Sequence, residues 1–304
     1  MNCLVVGLGS IGERHARILV ELGHKVSVVT RRKDLPYPQH DNLKSALTKT
    51  SFEYVVVSNP TNCHGETLRE LVDLNFKGRA LVEKPLVQNT KDLPSALPPP
   101  FSVGVGYNLR FHPLVQKTRD FLKGKELLRA DLYCGSYLPD WRPDDYRRTA
   151  SALKALGGGV LRVLSHEIDT AAWLAGHPLK LRGETARISK LEIDCEDDAT
   201  MEWQSSRGAH INVRVNFFDR LHQRTMNLIT PDDTVHVDLI RNTWRSKSEE
   251  STIQVHRDDT YRALHTAFLS GSPDVCSWQD GHHVVKIIEA VEQSSVSGKW
   301  EDVP

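Results

Sequence analysis

Nothing in this sequence is in large excess, and what it lacks is the first guide. Charge of one sign is missing: the 304 residues carry 39 Lys and Arg against 39 Asp and Glu, for a formal net charge of zero. That removes the electrostatic case for a nucleic-acid or anionic-membrane partner, since both are held through a basic excess. Long apolar runs are missing too. No stretch approaches the roughly 20 apolar residues that span a bilayer, and the opening Met1-Asn2-Cys3-Leu4-Val5-Val6-Gly7 lacks the charged start of a signal peptide. A cytoplasmic protein without a membrane anchor is expected. Cysteine is scarce: Cys3, Cys63, Cys134, Cys195 and Cys276 are widely spaced and include no C-x-x-C pair. That pattern suits reduced thiols and argues against a zinc knuckle or other metal site. Internal repeats and low-complexity tracts are absent, which excludes a solenoid.

What is present is the composition of a soluble globular chain, 39% hydrophobic and 26% charged. At roughly 150 residues per domain the length predicts two domains, each able to bury its own core. In the first hundred residues apolar runs at Cys3–Val6, Lys25–Val29, Tyr54–Ser58, Ala80–Val82 and Ser102–Val105 alternate with helical patterns at Ile11–Leu22, His64–Leu74 and Lys91–Leu97. That alternation predicts a parallel sheet covered on both faces. From Phe111 the pattern changes. A helix at Leu114–Leu122, a strand at Leu127–Cys134, a polar aromatic loop and a long helix after Gly157-Gly158-Gly159 are followed by strand-like runs at Ala186–Leu191, Ala199–Gln204, Ile211–Phe217, Thr225–Ile229 and Val235–Leu239. These predict an antiparallel sheet, closed by helices at Thr260–Leu269 and Gly281–Gln293. The expected organisation is a nucleotide-type α/β domain over residues 1–110 and an α+β domain over residues 111–304.

Val5-Val6-Gly7-Leu8-Gly9-Ser10-Ile11-Gly12 sets G-x-G-x-x-G directly after an apolar strand and at the start of a helical pattern. Gly7 allows the tight turn, Gly9 removes the Cβ that would block a pyrophosphate, and Gly12 lets helix and strand pack closely. The amides of Ser10, Ile11 and Gly12 would face the anion from a helix N-terminus. The carboxylate expected about 20 residues on, for the adenosine ribose, is missing. Val29-Thr30-Arg31-Arg32-Lys33 stands there instead. A guanidinium fork matches a 2′-phosphate, so Arg31 and Arg32 favour NADP over NAD.

Further segments make the reading specific. Ser58-Asn59-Pro60-Thr61-Asn62-Cys63-His64, Val82-Glu83-Lys84-Pro85-Leu86, Gly104-Val105-Gly106-Tyr107-Asn108-Leu109-Arg110-Phe111, Gly157-Gly158-Gly159 and Ser165-His166-Glu167-Ile168-Asp169 follow in order. Together with the glycine loop they resemble the Gfo/Idh/MocA family of sugar and inositol dehydrogenases over nearly the whole chain. The resemblance implies a Rossmann domain joined to a domain with a large, mostly antiparallel sheet, NAD or NADP as cofactor, a homo-oligomer such as a dimer or tetramer, and hydride transfer at a sugar carbon. It implies that Lys84 touches the nicotinamide ribose and the reacting hydroxyl, that His166 is the acid/base, and that Asn59, Pro60, His64 and Glu83 flank the nicotinamide. Asn108 and Arg110 match its crossover into the substrate domain.

Elementary chemistry supports these roles. Oxidising an alcohol requires a base for the O–H proton as hydride leaves carbon, and histidine is the natural candidate. A lysine at the C-terminal edge of a parallel strand lies where open α/β sheets bind ligands, and its cation would stabilise a developing alkoxide. Read as one helix, Leu161, Leu164, Ile168, Ala171, Ala172 and Ala175 form an apolar stripe while Arg162, His166, Asp169 and Trp173 form a separate one, the wall of a site. Family members commonly carry an aspartate three or four residues before this histidine, where this chain has Val163 and Arg162. Either Asp169 substitutes, or the catalytic set is reduced, or the chain binds cofactor without turnover as a regulator or sensor. Redox-assisted epimerisation or glycoside cleavage is a third reading. Arg142 and Tyr146, in the loop before the glycine run, are candidates for contact with a polar sugar.

Overall fold

The computed structural model describes residues 1–303. It contains two compact units, one of Met1–Phe111 with His256–His282, the other of His112–Val255 with the chain from His283 on.

In the first unit β1 (Asn2–Val6), α1 (Ser10–Glu21), β2 (Lys25–Val29), β3 (Gln39–His40), α2 (Leu43–Lys49), β4 (Tyr54–Val57), α3 (His64–Asp73), β5 (Arg79–Val82) and β6 (Ser102–Val105) succeed one another. Every residue of β4, Tyr-Val-Val-Val, is buried. Such continuous β-branched runs mark parallel strands covered on both faces. Strands β3-β2-β1-β4-β5-β6 lie side by side and pair in parallel. This is the doubly wound order, whose direction of progression reverses between β1 and β4; ligands bind such sheets beyond the carboxyl ends of the strands at that reversal. Val5, Val28, Val56 and Leu81 of the strands pack with Ala16 and Leu19 of α1 in the core.

The second unit begins with α4 (Pro113–Leu122), β7 (Arg129–Gly135), α5 (Val160–Val163), α6 (His166–Ala175) and β8 (Pro178–Ala186). It continues with β9 (Asp198–Ser205), β10 (His210–Asn216), β11 (Gln223–Ile229), β12 (Thr234–Asp238), β13 (Thr243–Arg245) and β14 (Glu250–Thr252). Next come α7 (Asp259–Ser270) and β15 (Cys276–Ser277), which belong to the first unit, then α8 (Trp278–Ser297) and β16 (Glu301–Asp302). The sheet runs β14-β13-β12-β11-β7-β10-β9-β8-β16 and is antiparallel except where β7 meets β10. Ala199, Met201, Trp203 and Ser205 of β9 are buried and alternate with non-buried neighbours, the period-two pattern of a sheet with one covered face. α6 packs on β7 and β10.

The fold class is the expected one, and five local expectations are corrected. Residues 256–282 return to the first unit rather than staying with 111–304, because β15 pairs antiparallel with the open edge of β6 and Leu264 and Val275 enter that unit's core. Lys91–Leu97 forms only a short turn of 3-10 helix at Thr90–Asp92, closed by a reciprocal Asn89–Asp92 cap; Pro94 removes a donor that a longer helix would need. The helix after Gly159 is two pieces, α5 and α6, so the phase counted from Leu161 does not carry through Leu164 and Ser165. α6 is buried almost all round, His166, Asp169 and Ala172 included, rather than striped. Finally, β8 ends at Ala186, beyond which the Ile188 and Ser189 amides donate to the Asp197 carboxylate. Among the described residues no helix is long and apolar enough to cross a membrane.

Candidate active site

The loops that leave β1, β4 and β5 converge at the sheet reversal. Gly7 has φ +88°, and a Cβ there would press on the Asn59 main chain at 2.6 Å; a Cβ at Gly12 would overlap the Gly7 carbonyl and crowd Ser58 Oγ at 2.7 Å. Ser58 Oγ donates to the Gly7 carbonyl at 2.8 Å. Gly7 and Gly12 are thus demanded by packing between the first two loops. Gly9 is different: a Cβ there would meet nothing within 4 Å, and α1 starts from Gly9 with no side-chain cap. The amides at Ser10 and Ile11 open a helix start without a side-chain cap, and the first N–H groups of a helix have no intrahelical partners.

Arg31 and Arg32 are exposed after β2. Arg32 Nη1 donates to the Leu8 carbonyl and to Glu13 Oε2, both at 2.9 Å, so one guanidinium lies across the glycine loop. In the loop after β4, Asn59 Nδ2 donates to Thr67 Oγ1 at 2.8 Å, while its Oδ1 is buried with no hydrogen-bond partner among the described residues. Pro60 is exposed and starts a short 3-10 turn. His64 cross-braces the loops, its ring nitrogens each 3.0 Å from the carbonyls of Pro85 and Asn59. Burial holds its pKa below the ordinary 6.5 against those two bonds.

Glu83 and Lys84 follow β5, and the Lys84–Pro85 peptide is cis. Lys84 is half-buried. Burial alone would raise the Glu83 carboxyl, but the His15 bond and the charges of His15 and Lys84 outweigh it and hold it below its ordinary value. Asn108 and Arg110 lie in a 3-10 turn after β6 and are buried; Asn108 Nδ2 donates to Thr260 Oγ1 at 2.7 Å, and Arg110 Nη1 to Asp280 Oδ2 at 3.2 Å. Their polar heads bind the re-entrant segment of their own unit.

In the second unit His166 opens α6 and is 8% exposed, with Asp169 one turn on at 1%. Beside them Glu167 is paired with Arg224 of β11 at 2.7 Å, a buried ion pair that fixes α6 on the sheet. Arg162 is 6% exposed and makes a two-point contact with Glu292 of α8, at 2.5 and 3.1 Å. The Glu196 carboxylate accepts the Leu161 amide at 3.3 Å, and burial raises its pKa. Where the family pattern has an acid, this chain therefore has a buried arginine answered by acids from elsewhere. Arg142 is exposed, and Tyr146 Oη accepts the Glu192 amide at 3.1 Å. The glycine loop, Asn59, His64, Glu83 and Lys84 are thus gathered in one unit, and Arg162, His166 and Asp169 in the other. Arg224, Glu292, Glu196 and His15 went unnoticed in the sequence; each meets its partner across 35 to 130 residues, and no local motif announces them. Among the described residues no group of three or more His, Cys, Asp or Glu is arranged to hold a metal ion.

A doubly wound nucleotide-type unit with an open glycine loop, combined with a second unit built on a nine-stranded mixed sheet, defines the class as a two-unit dinucleotide-type fold. Comparison narrows it. Residues 115–237 match the family model described as GFO/IDH/MocA C-terminal domain, and the whole chain has the fold of Gfo/Idh/MocA dehydrogenases. GenD2 from gentamicin A biosynthesis, solved with NAD, is similar at 20% identity and TM-score 0.81, covering 100% of this chain and 96% of its own. Levoglucosan dehydrogenase, solved with NADH and levoglucosan, gives 15% and 0.85, covering 100% and 99%. The WlbA dehydrogenase from Bordetella pertussis, solved with NADH and UDP-GlcNAcA, gives 16% and 0.83, covering 100% and 98%. No curated protein sequence matches the chain.

Proposed function

We propose that the chain is an NAD(P)-dependent oxidoreductase acting on a hydroxyl or keto carbon of a sugar, cyclitol or nucleotide sugar. The observation that carries this reading is the assembly around the sheet reversal: an uncapped helix start with open space at Gly9, a buried unsatisfied acceptor at Asn59 and, after the adjoining strand β5, Lys84. The solved neighbours, with NAD or NADH in each of the three named, support it. A nicotinamide cofactor, when bound, supplies a carbon that accepts or returns hydride. Gly7, Gly9, Ser10, Ile11 and Gly12 would seat its diphosphate, and Arg31 and Arg32 its adenosine ribose end. Asn59, Pro60, His64 and Glu83 would flank its other end.

Lys84 holds a positive charge at the substrate oxygen and stabilises the alkoxide, while His166 takes the hydroxyl proton in oxidation and returns it in reduction. Asp169, one turn on, would supply the acid that orients the His166 ring. Arg142 and Tyr146 contribute to the sugar pocket, together with Asn108, Arg110 and Arg162 through the backbone they brace. NADP is preferred to NAD, because no carboxylate stands at residues 30–33 directly after β2 to repel a 2′-phosphate, Asp34 comes late, and two guanidinium groups stand there. The polar face of the second sheet, with a groove of about 690 Å³ lined by Asp131, Tyr133, Arg214 and Asn227, serves self-association as a homo-oligomer in the cytoplasm.

The test begins with thermal stability in NAD and in NADP, since only a nucleotide that binds raises the melting temperature. A sugar panel with the preferred nucleotide is then followed at the nicotinamide absorbance. Lys84→Met should abolish turnover while cofactor affinity stays within about tenfold, a change of about 1.4 kcal/mol. A second reading, a cofactor-binding sensor, is favoured by one observation: Arg162 and Val163 occupy the place of the family acid, and Arg162 is held by Glu292. Tight cofactor binding without turnover across the panel would establish it in place of the first.

A further inference from the structure

Four side chains from four separate segments of the first unit, Glu83 the last of them, join end to end. Tyr54 Oη lies 2.8 Å from His265 Nδ1, His265 Nε2 lies 2.8 Å from His15 Nδ1, and His15 Nε2 lies 2.8 Å from Glu83 Oε1. Tyr54, His15 and His265 are fully buried and Glu83 is 8% exposed. Valence restricts the order of protons. An ionised Glu83 only accepts, so His15 Nε2 donates to it. With His15 neutral, its Nδ1 accepts from His265 Nε2–H, and His265 Nδ1 accepts from the Tyr54 hydroxyl. With His15 protonated, both outer bonds reverse together. In the first order every donor of the chain meets an acceptor, in the second the Tyr54 hydroxyl accepts and its own proton turns out of the chain, and in both the carboxylate keeps its partner.

We infer that Tyr54, His265 and His15 are positioning residues for Lys84, acting as one hydrogen-bonded chain that holds the Glu83 carboxylate against it. The inference rests on the reading of Lys84 as the catalytic lysine. Glu83 Oε2 accepts the Lys84 main-chain N–H at 3.2 Å, so the orientation of the carboxylate sets the backbone from which the lysine springs. The space is built for that carboxylate, because a Cβ at Gly106 would lie 2.9 Å from Glu83 Oε1. The charged and titratable groups facing Glu83 are His15 from α1, Tyr261 from α7, His64 from α3, and Lys84 itself. Tyr261 is edge-on to His15 at 5.5 Å and carries Arg14 over its ring at 5.3 Å. A buried carboxylate stripped of its donor takes up a proton rather than staying charged. The ammonium beside it then loses an anion and gives up its own proton more readily.

The experiment reads Lys84 directly in the protein without cofactor. Competitive acetylation across pH, resolved by peptide mass spectrometry, gives the pH at which Lys84 is half-reactive, with the exposed Lys123 as internal control. Glu83→Gln, which keeps the shape of the side chain, and His15→Phe should each lower that pH by about one unit, about a tenfold faster reaction near neutrality, with Lys123 unmoved. Tyr54→Phe should lower it less, and should add nothing when combined with Glu83→Gln, because links of one chain are not additive. A half-reactive pH unchanged in folded Glu83→Gln overturns the inference, and so does a Tyr54→Phe effect that persists in the Glu83→Gln background. Should His15→Phe not fold, the Glu83→Gln pair decides. A parent protein that turns over no sugar bears on the dehydrogenase reading alone, since acetylation requires no turnover.

Discussion

At the scale of single residues, Arg32 shows how one side chain can be read two ways. Its guanidinium rests on the Leu8 carbonyl and Glu13, yet its position after β2 is where a 2′-phosphate would stand. The pair with Glu13 is half exposed on both sides and so contributes little to stability, while a dianionic phosphate would compete for the same fork. Replacing Arg31 and Arg32 together by Ala should weaken NADP binding at least tenfold more than NAD binding in titrations of both nucleotides. Equal losses would remove the 2′-phosphate assignment. Conversely, Glu13→Gln should favour NADP by a few-fold, because the competing carboxylate is gone. Lys84 and His166 stand out in the sequence because each sits in an ordered motif. Their supports do not. The Glu167–Arg224 and Arg162–Glu292 pairs arise from residues 57 to 130 positions apart, and a single sequence carries no record of such pairings.

At the scale of elements, the glycine loop behaves as a packed joint. Gly12→Ala should cost at least about 3 kcal/mol, the range of severe overpacking, since the methyl would collide with the Gly7 carbonyl and Ser58 in a close-packed interior. Denaturant unfolding measures this, and a loss below about 1 kcal/mol would mean that the joint is slack. The buried histidines make a second prediction. Burial depresses His64 of α3 and His265 of α7 below 6.5, so the unfolded chain binds protons that the folded chain does not. Their contribution is complete above that pH and is lost as pH falls through it, at up to about 1.4 kcal/mol per pH unit per ring. The melting temperature should therefore drop between pH 7.5 and 5.5, and a flat profile in calorimetry would contradict the neutral assignment. Strands β1, β4, β5 and β6 of the first unit were legible because burial on both faces writes apolar runs, whereas β3 and α2, short and polar, were not. The break between α5 and α6 was not, because a helix buried almost all round carries no stripe by which to set its phase.

At the scale of the molecule, the second crossing of the chain into the first unit is the feature that sequence pattern conceals. Helical periodicity identifies α7, but nothing in it says to which core the apolar face belongs. The structure gives Leu264 and Val275 to the core of β1, β2, β4 and β5, and β15 to the edge of β6. A fragment of residues 1–111 should therefore fail to fold cooperatively or bind nucleotide, and adding a separate 256–282 peptide should restore at least part of the circular dichroism transition. A fragment that melts sharply on its own would show that α7 and β15 are ornament.

This discontinuity also governs how the protein is made. While a ribosome is adding residues 106 to 275, β6 remains an uncovered edge and the hydrophobic floor under α7 is open to water. Each unit therefore waits for chain made after Val255, the first for residues 256–282 and the second for the chain from His283 on. A premature stop after Val255 would consequently leave both units unfinished, and chaperone demand should persist until the last elements have been made.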